Sequence, residues 1–427
     1  MNTDLSTPFS PQSPTLARLF AQVDRLGPAP IEEFWTEVSE AGTPLIEERP
    51  SGGRSLLVTF LWRPEQNFER AFVSSNLFQP GPSSAELSRL AGSDIWFRTE
   101  TLSRSLRGSY SFHPGMTSPA KTEDEFYEWV WRNERPDPHH PGVVTFPKIP
   151  TDPGDVEVVR SVLELPGAAP QPYVARRSDV ARGALQSHEF QSSILGAPHP
   201  IWVYLPPGYS ADGPPCDLLI LFDGRNYGNA IPTPTIMDNM LAESLLDPAV
   251  VVLWDYPRGQ LRNQELECNP LFAVCMEKEL VPWIRDTYRV TNDPSRTVVG
   301  GASAGGLGAT YVAWRYPATF GKVLSQSGWF GCAPSGVHGP PGWMPTQFAN
   351  GPVRPIEFYL EAGSAESGPS APEVEILPTN RAFRALLESN GYVVHYAEFE
   401  GGHEWVNWRG TLSDGLRAVL PKKAAGH

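Results

Sequence analysis

The sequence predicts an α/β catalytic domain that follows a smaller domain built from β-strands. In the second half of the chain, short apolar runs alternate with helix-compatible segments, which is typical of a mostly parallel sheet covered by helices. In the first half, short alternating strands are separated by turns rich in Gly, Pro and Asn, which indicates a small β-sandwich. The predicted domains span 1–150 and 186–427, with a linker over 151–185.

Each predicted element rests on its apolar pattern. In the N-terminal domain, two short helices (16–23 and 31–39) precede strands at 56–62, 71–75, 94–100 and 108–112. In the catalytic domain, strands are predicted at 201–205, 218–222, 249–254, 322–327 and 356–360, with helices at 236–246 and 272–288. The segment 135–172 is rich in Pro, Gly and Asp and is interpreted as irregular chain between the domains.

Composition excludes several classes of protein. A net charge of −14 over 427 residues argues against a nucleic-acid-binding protein, because the phosphates would be repelled. The sequence has no apolar run long enough for a transmembrane helix and no apolar N-terminal segment typical of a secretory signal, so no membrane partner is expected. The four cysteines lack C-x-x-C spacing, which indicates reduced thiols in a cytoplasmic protein. We expect neither a metal site nor a cofactor.

The segment 297–306 is predicted to be a strand, a sharp turn and a helix, with Ser303 at the apex of G-A-S-A-G. Small residues at Gly301 and Gly305 let strand and helix pack closely, so that the hydroxyl projects outward from a strained backbone. This arrangement is typical of the nucleophile elbow of an α/β-hydrolase. The alternative is a glycine-rich turn with a bystander serine.

A serine nucleophile needs a base to take its proton, and His403 is the candidate. It follows two glycines on a loop after the last predicted strand, at 392–396. That position suits a base that reaches across the edge of the sheet, and the alternative is a solvated loop histidine.

The imidazole needs an acid that fixes its tautomer, and in α/β-hydrolases this acid lies between the serine and the histidine along the chain. The glutamates after the strand 356–360 are Glu361, Glu366, Glu373 and Glu375. We favour Glu366, because it lies on the loop where the strand releases the chain toward the site. Glu361, at the strand end itself, is the alternative. If both are solvated loop charges, a Ser–His dyad remains.

An ester hydrolase also needs N–H donors for the oxyanion that develops during the reaction. One expected donor is the backbone N–H of Ala304, directly after the serine. The second is expected on the loop that follows the strand 218–222. We favour Gly224 there, because a glycine allows close approach of the backbone, with Arg225 as the alternative.

Further motifs run through both halves of the chain. They are V-T-F-L-W at 58–62, L-A-G-S-D-I-W at 90–96, R-G-S-Y-S-F at 107–112, F-D-G at 222–224, R-N-Q-E-L-E-C-N at 262–269, R-T-V-V-G-G-A-S-A-G-G-L at 296–307, F-G-K-V-L-S-Q-S-G at 320–328 and G-G-H-E at 401–404. As an ordered set, these motifs resemble the enterochelin (ferric enterobactin) esterases. The resemblance spans most of the chain, and the set is far more specific than any single motif.

The resemblance implies a cytoplasmic serine esterase that opens the ester (trilactone) backbone of a catecholate siderophore, so that iron is released. It also implies an immunoglobulin-like N-terminal domain that covers the site. It assigns the nucleophile, base and acid to Ser303, His403 and Glu366. The chain departs from the family pattern by a longer loop at 367–376 and a Pro-rich stretch at 332–348, which we expect to shape a different substrate rim.

The implied small-molecule partner is the siderophore or its ferric complex, a trianion with aromatic faces. Such a ligand favours cations and aromatic rings at the site. We expect Arg225 and Arg262 to supply the cations, and Trp329 and Trp405 to stack on the rings. In the alternative interpretation, Arg262 pairs with Glu265 and the tryptophans belong to the core.

Three functions remain open on this evidence. The first is the siderophore trilactone esterase. The second is a carboxylesterase or acyltransferase on the same scaffold that acts on another peptide or polyketide ester. The third is a binding protein without activity, which an intact Ser303, His403 and nearby carboxylate disfavour.

Overall fold

The chain divides into two units. A computed structural model describes residues 12–64, 68–77, 86–115, 129, 132–366 and 375–422. The first unit comprises 1–145 and 158–169, and the second comprises 146–157 and 170–427. The predicted boundaries at 150 and 186 therefore differ from the division in the structure. There, residues 146–157 belong to the second unit and residues 158–169 belong to the first.

The first unit is mostly β-structure. Helices α1 (Pro14–Leu26) and α2 (Ala29–Ala41) precede its strands. The strands are β1 (Leu45–Glu48), β2 (Ser55–Trp62), β3 (Ala71–Ser75), β4 (Ser88–Arg89), β5 (Trp96–Ser103), β6 (Arg107–Pro114), β7 (Val143–Phe146) and β8 (Val158–Glu164). Among the described residues they form two four-stranded sheets, in the orders β1-β2-β5-β4 and β3-β6-β8-β7.

The two sheets share one apolar core. Val58 and Phe60 of β2 pack with Val73 of β3 and with Tyr110 and Phe112 of β6. The rings of Phe60 and Tyr110 meet edge to face, with centroids 4.9 Å apart. Burial of these side chains from both sheets is what holds the predicted sandwich together.

The structure differs from the predicted linker over 151–185, because β8 lies inside it. β8 pairs antiparallel with β6, with Leu163 opposite Gly108, and Leu163 is buried in the core of the sandwich. The Pro- and Gly-rich residues on both sides of this strand concealed it in the sequence. They form the turns at its ends rather than a continuous irregular connection.

The second unit alternates strands and helices, as predicted. Its strands are β9 (Ala184–Gln191), β10 (Pro198–Leu205), β11 (Asp217–Phe222), β12 (Ala249–Trp254), β13 (Thr297–Ala302), β14 (Lys322–Gln326), β15 (Glu357–Gly363) and β16 (Val393–Phe399). Its helices are α3 (Gly224–Gly228), α4 (Thr233–Ala242), α5 (Gly259–Leu266), α6 (Pro270–Cys275), α7 (Val281–Thr287), α8 (Ala304–Arg315), α9 (Trp343–Asn350), α10 (Ile376–Ser389) and α11 (Trp405–Val419).

The strands of the second unit that the structure describes form one eight-stranded sheet in the order β16-β15-β14-β13-β11-β12-β10-β9. The strands from β11 to β16 pair in parallel, whereas β10 is antiparallel to both β12 and β9. β11 and β12 are buried along their whole length, and apart from Asp217 at the start of β11 both strands consist of apolar residues. The predicted α/β fold class, a mostly parallel sheet covered by helices, is confirmed.

Two details of the second unit differ from the predictions. The single helix predicted over 272–288 is divided into α6, a π-helical turn (Met276–Leu280) and α7. Pro282 lies at the start of α7 and has no backbone N–H to donate, which explains why the regular ladder is interrupted there. β9 was not predicted, because it is an edge strand whose side chains are largely exposed and polar.

The four cysteines are free, buried thiols: Cys216, Cys268, Cys275 and Cys332. Burial raises the pKa of Cys275 and of Cys332 to about 12, so both remain protonated at neutral pH. Among the helices that the structure describes, we find none with the length and apolar character needed to cross a membrane.

The assignment of β8 predicts that two side-chain truncations within 151–185 differ in their effect on stability. Leu163→Ala should lower the free energy of unfolding by about 2–5 kcal/mol, because it opens a cavity in the sandwich core. Val156→Ala is the matched control, since Val156 is exposed, and it should change stability by less than about 0.5 kcal/mol. The measurement is urea unfolding of the full chain, and equal midpoints for the two variants would contradict the packing of β8.

Candidate active site

Ser303 lies at the sharp turn between β13 and α8. Its backbone has φ 57° and ψ −119°, a region that residues other than glycine rarely adopt. A Cβ added to Gly301 would lie 2.9 Å from the backbone of Gly305, so a larger residue would force the strand and the helix apart. The Ser303 N–H donates to the carbonyl of Gln326 on β14 at 2.9 Å. These contacts hold the strained turn in place.

The turn places the start of a helix next to the serine. Ala304 is the first residue of α8, and N–H groups in the first turn of a helix have no acceptor within the helix. The positive end of the helix dipole lies at the same point. The backbone at Ala304 is therefore suited to binding an oxyanion.

A second close approach of backbone occurs after β11. Asp223 has left-handed geometry (φ 64°), and a Cβ added to Gly224 would lie 2.6 Å from the carbonyl group of Leu253. The Arg225 N–H donates to the Asp255 carboxylate at 3.2 Å. That contact occupies the Arg225 N–H, so Gly224 remains the candidate donor of the two.

His403 and Glu366 lie together at the carboxyl edge of the sheet. His403 Nδ1 is 3.2 Å from Glu366 Oε1, and the Gly363 N–H donates to Glu366 Oε2 at 3.1 Å. The Glu366 side chain is fully buried, whereas the imidazole is 34% exposed. An imidazole bound to a buried carboxylate through Nδ1 presents Nε2 as its second nitrogen, which is the arrangement that a general base needs.

Glu361, the alternative acid, is engaged elsewhere. It is completely buried, and its carboxylate accepts hydrogen bonds from Gln326 Nε2 (2.9 Å), the Tyr359 hydroxyl (2.7 Å) and Thr411 Oγ1. Burial raises the pKa of Glu361 to about 7. The three hydrogen bonds act in the opposite direction, but the effect of burial is larger.

Two further glutamates follow β15 in the sequence. Glu375 is exposed, and Glu373 lies outside the described residues. So do the other residues of 367–374, in the loop that departs from the family pattern. Among the three candidates that the structure describes, Glu366 is the one whose carboxylate binds His403.

Both expected cations are paired with buried carboxylates. Arg262 binds Asp223 through Nε and Nη2, with Nη2 2.7 Å from Oδ2. The alternative of a pair with Glu265 is wrong, because Glu265 binds His199 Nε2 at 2.8 Å instead.

Arg225 is more deeply buried than Arg262. Its Nη2 lies 2.8 Å from Asp255 Oδ2, and both side chains are at most one-tenth exposed. Burial raises the pKa of Asp255 to about 7, although the Arg225 charge acts to lower it. The two arginines therefore contribute ion pairs rather than uncompensated charges.

The two expected stacking residues are half-buried. The backbone N–H of Trp329 donates to the backbone carbonyl of Ser303 at 3.0 Å, so this tryptophan lies next to the elbow. Trp405, the first residue of α11, packs edge to face against Tyr227 (5.8 Å) and Trp408 (5.0 Å). Both tryptophans pack against a core cluster, as the alternative interpretation held, and both residues are only partly buried.

Two residues near the acid were missed by the sequence analysis. Ser327 Oγ donates to Glu366 Oε1 at 2.8 Å, and Trp408 Nε1 donates to Ser327 Oγ at 2.9 Å. Ser327 lies in the motif S-Q-S-G at 325–328, which spans the end of β14. This motif was part of the family resemblance, but Ser327 was given no role. Within the described ranges, no group of three or more His, Cys, Asp or Glu side chains could hold a metal ion.

Comparison with protein families matches both halves of the chain. The Esterase family model matches residues 192–419, which is more than half of the chain, and the model of the enterochelin esterase N-terminal domain matches residues 57–174. The iron(III) enterobactin esterase of Dickeya dadantii (strain 3937) is 29% identical, and the alignment covers 91% of this chain and 93% of that protein.

Solved structures agree with the family models. The ferric enterobactin esterase of Salmonella typhimurium has a TM-score of 0.72 and is 28% identical, with 91% of this chain and 98% of that chain covered. The enterobactin esterase of Shigella flexneri, solved in the presence of enterobactin, has a TM-score of 0.70 and is 27% identical, covering 88% and 95%. The resemblance found in the sequence is confirmed. The chain belongs to the enterochelin esterase family and is a carboxylic ester hydrolase with an α/β catalytic fold.

Proposed function

We propose that this protein is a serine esterase that hydrolyses the ester (trilactone) backbone of a catecholate siderophore and releases its iron in the cytoplasm. One observation carries the proposal: the strained Ser303 turn lies at the same edge of the sheet as His403, whose imidazole is bound to the buried Glu366 carboxylate. Named relatives with this architecture are iron(III) enterobactin esterases, which supports the choice of substrate.

In this proposal, Ser303 Oγ attacks an ester carbonyl while His403 Nε2 takes its proton. Glu366 holds the imidazole through Nδ1 and stabilises the imidazolium that forms. His403 then returns the proton to the leaving alkoxide, which leaves as an alcohol and produces an acyl-enzyme. Water, activated by the same imidazole, cleaves the acyl-enzyme and regenerates the Ser303 hydroxyl.

The backbone N–H groups of Ala304 and Gly224 bind the oxyanion of each tetrahedral intermediate. Two observations support this role. Ala304 is the first residue of a helix, and the backbone of Gly224 comes so close to Leu253 that only a glycine fits there. Donors that are already in place need no reorganisation when charge develops on the oxygen, which makes them effective in lowering the barrier.

Arg225, Arg262, Trp329 and Trp405 line the proposed binding region for the siderophore or its ferric complex. Trp329 and Trp405, which are both partly buried residues, are the aromatic side chains proposed to stack on catecholate faces. Each arginine is paired with an aspartate. Their guanidinium groups can therefore offer N–H donors to a ligand, but they add no net positive charge to the binding region. That pairing favours a second candidate, a carboxylesterase or acyltransferase for a less anionic peptide or polyketide ester.

One experiment separates the two candidates. The purified protein is incubated with ferric and iron-free enterobactin-type trilactones, and linear products are followed by mass spectrometry. Opening of the ring supports the siderophore esterase. If simple p-nitrophenyl esters are hydrolysed and the trilactones stay closed, the second candidate replaces it.

Ser303→Ala should lower kcat by roughly 10⁶-fold, because the attacking hydroxyl is lost. The variant should still bind the ferric trilactone, since the backbone donors and the tryptophans are unchanged. Turnover is measured by product formation, and binding by quenching of tryptophan fluorescence. Hydrolysis that persists in this variant would remove Ser303 as the nucleophile.

The acid assignment predicts a contrast between two glutamates that are close in sequence. Glu366→Gln should lower kcat by about 10⁴-fold, because a neutral amide neither orders nor stabilises the imidazolium. Glu361→Gln should leave kcat near the wild-type value, since Gln326, Tyr359 and Thr411 rather than His403 are its hydrogen-bond partners here. The reverse ranking in steady-state assays would make Glu361 the acid.

Glu361 also predicts a pH dependence of stability. Its pKa in the folded protein is about 7, above the ordinary value of 4.5, so between these pH values the folded protein keeps a proton that the unfolded chain has lost. Stability therefore falls as pH rises from 4.5 to about 7, by about 3 kcal/mol from this group. Asp255 acts in the same direction, so the test compares urea midpoints of wild type and Glu361→Gln, and the variant should show a smaller decline. Parallel curves would contradict the raised pKa.

A further inference from the structure

Ser327 adopts a backbone conformation that is costly for a serine. Its φ is 52°, in the left-handed region, and the residue follows directly after β14 at the carboxyl edge of the sheet. Its N–H donates to the Glu361 carbonyl at 2.8 Å, which holds the strained backbone. Strain of this kind persists only where the surroundings impose it, and it turns the Ser327 side chain toward the acid rather than along the strand.

The hydrogen bonds of Ser327 have a defined direction. An indole N–H is a donor only, so Trp408 Nε1 donates to Ser327 Oγ at 2.9 Å. The proton of the Ser327 hydroxyl is then directed to its other neighbour, Glu366 Oε1, at 2.8 Å. Trp408 thereby orients the hydroxyl that binds the acid.

Trp408 also contacts the base. Its ring meets the His403 imidazole edge to face, with centroids 4.8 Å apart and an interplanar angle of 87°. The Trp408 side chain is buried, and its carbonyl accepts a hydrogen bond from Gln326 Nε2 at 3.0 Å. A single rigid side chain is therefore in contact with both the base and the residue that holds the acid.

We propose that Ser327 and Trp408 are positioning residues, which hold the Glu366 carboxylate in the orientation that His403 requires. This inference rests on the proposed function only in taking Glu366 and His403 as acid and base. Ser327 Oγ and His403 Nδ1 share the same oxygen, Oε1, while the Gly363 N–H holds Oε2. These contacts fix both oxygens of the carboxylate, so that it cannot rotate away from the imidazole.

Among the described residues, removal of the Ser327 hydroxyl leaves the Glu366 carboxylate bound to the Gly363 N–H and to His403. The carboxylate then samples orientations that do not order the imidazole, so the fraction of productive sites falls. Ser327→Ala should lower kcat by about tenfold, the effect of losing one hydrogen bond to a charged group, with little change in KM. Activity is measured with a p-nitrophenyl ester, which needs no siderophore recognition.

Ser325→Ala is the matched control. Ser325 lies two residues earlier, on β14, and is equally buried, and its hydroxyl has no hydrogen-bond partner among the described residues. This variant removes the same atom two residues away from Ser327 without removing a contact to Glu366, so kcat should stay at the wild-type value. Equal losses in Ser325→Ala and Ser327→Ala would overturn the proposal, because both would then reflect general disturbance of β14.

A double-mutant cycle tests whether Ser327 acts through the acid. If it does, adding Ser327→Ala to Glu366→Ala should produce no further loss of kcat, since nothing remains to be positioned. Independent, additive losses would overturn the proposal. Trp408→Phe keeps a ring against His403 but removes the indole donor, and its loss should likewise disappear in the Glu366→Ala background.

Two further measures keep the test decisive. If Ser327→Ala does not fold, Ser327→Gly removes the same hydroxyl while suiting the positive φ, and it should show the same loss of kcat. Failure of the proposed function is seen separately, as closed trilactones in the mass spectrometric assay or as retained ester hydrolysis in Ser303→Ala. If the wild-type protein is active and Ser327→Gly has a normal kcat, the positioning role of Ser327 is overturned, and the proposed function is unaffected.

Discussion

The geometry of the candidate site starts from the strained backbone turn at Ser303. Holding a non-glycine residue at φ 57° costs on the order of 1–3 kcal/mol, which buried surroundings must offset. The flanking strands supply that support: β13 is buried along its length, and Gln326 on β14 accepts the Ser303 N–H. Because parallel strands end at one edge, the same sheet that holds the turn also delivers the loops that carry the acid and the base.

Four buried carboxyl groups at this edge are compensated in different ways. Asp223 and Asp255 are paired with arginines, while Glu361 is held by neutral donors. Burial raises the pKa of both Asp255 and Glu361. Glu366 instead binds an imidazole and a serine hydroxyl. A carboxylate paired with arginine is already neutralised and cannot also stabilise an imidazolium effectively. The differences in partners, rather than in residue type, therefore separate structural carboxyl groups from the proposed catalytic one.

Elements with strong local signals were predicted closely. The runs at 71–75 and 249–254 coincide with β3 and β12, because β-branched and apolar residues specify buried strands without reference to the remainder of the chain. The polar edge strand β9 and the strand β8 were missed, since their pairing partners, not their own patterns, make them strands. Pairing is non-local, so a window of sequence around either strand does not contain the information.

Patterns in the sequence were enough to predict the fold class from alternating apolar runs, the family from an ordered set of motifs, and the elbow from G-A-S-A-G. The partners of these residues could not be predicted in this way, because they depend on contacts between segments that are distant along the chain. Glu366 and Glu361 are five positions apart and chemically identical, yet one reaches His403 and the other Tyr359. Likewise, Arg262 forms its ion pair with Asp223 and not with Glu265, which is three residues away on the same helix. Hydrogen bonds act over about 3 Å in space, and distance along the chain says little about which groups come that close.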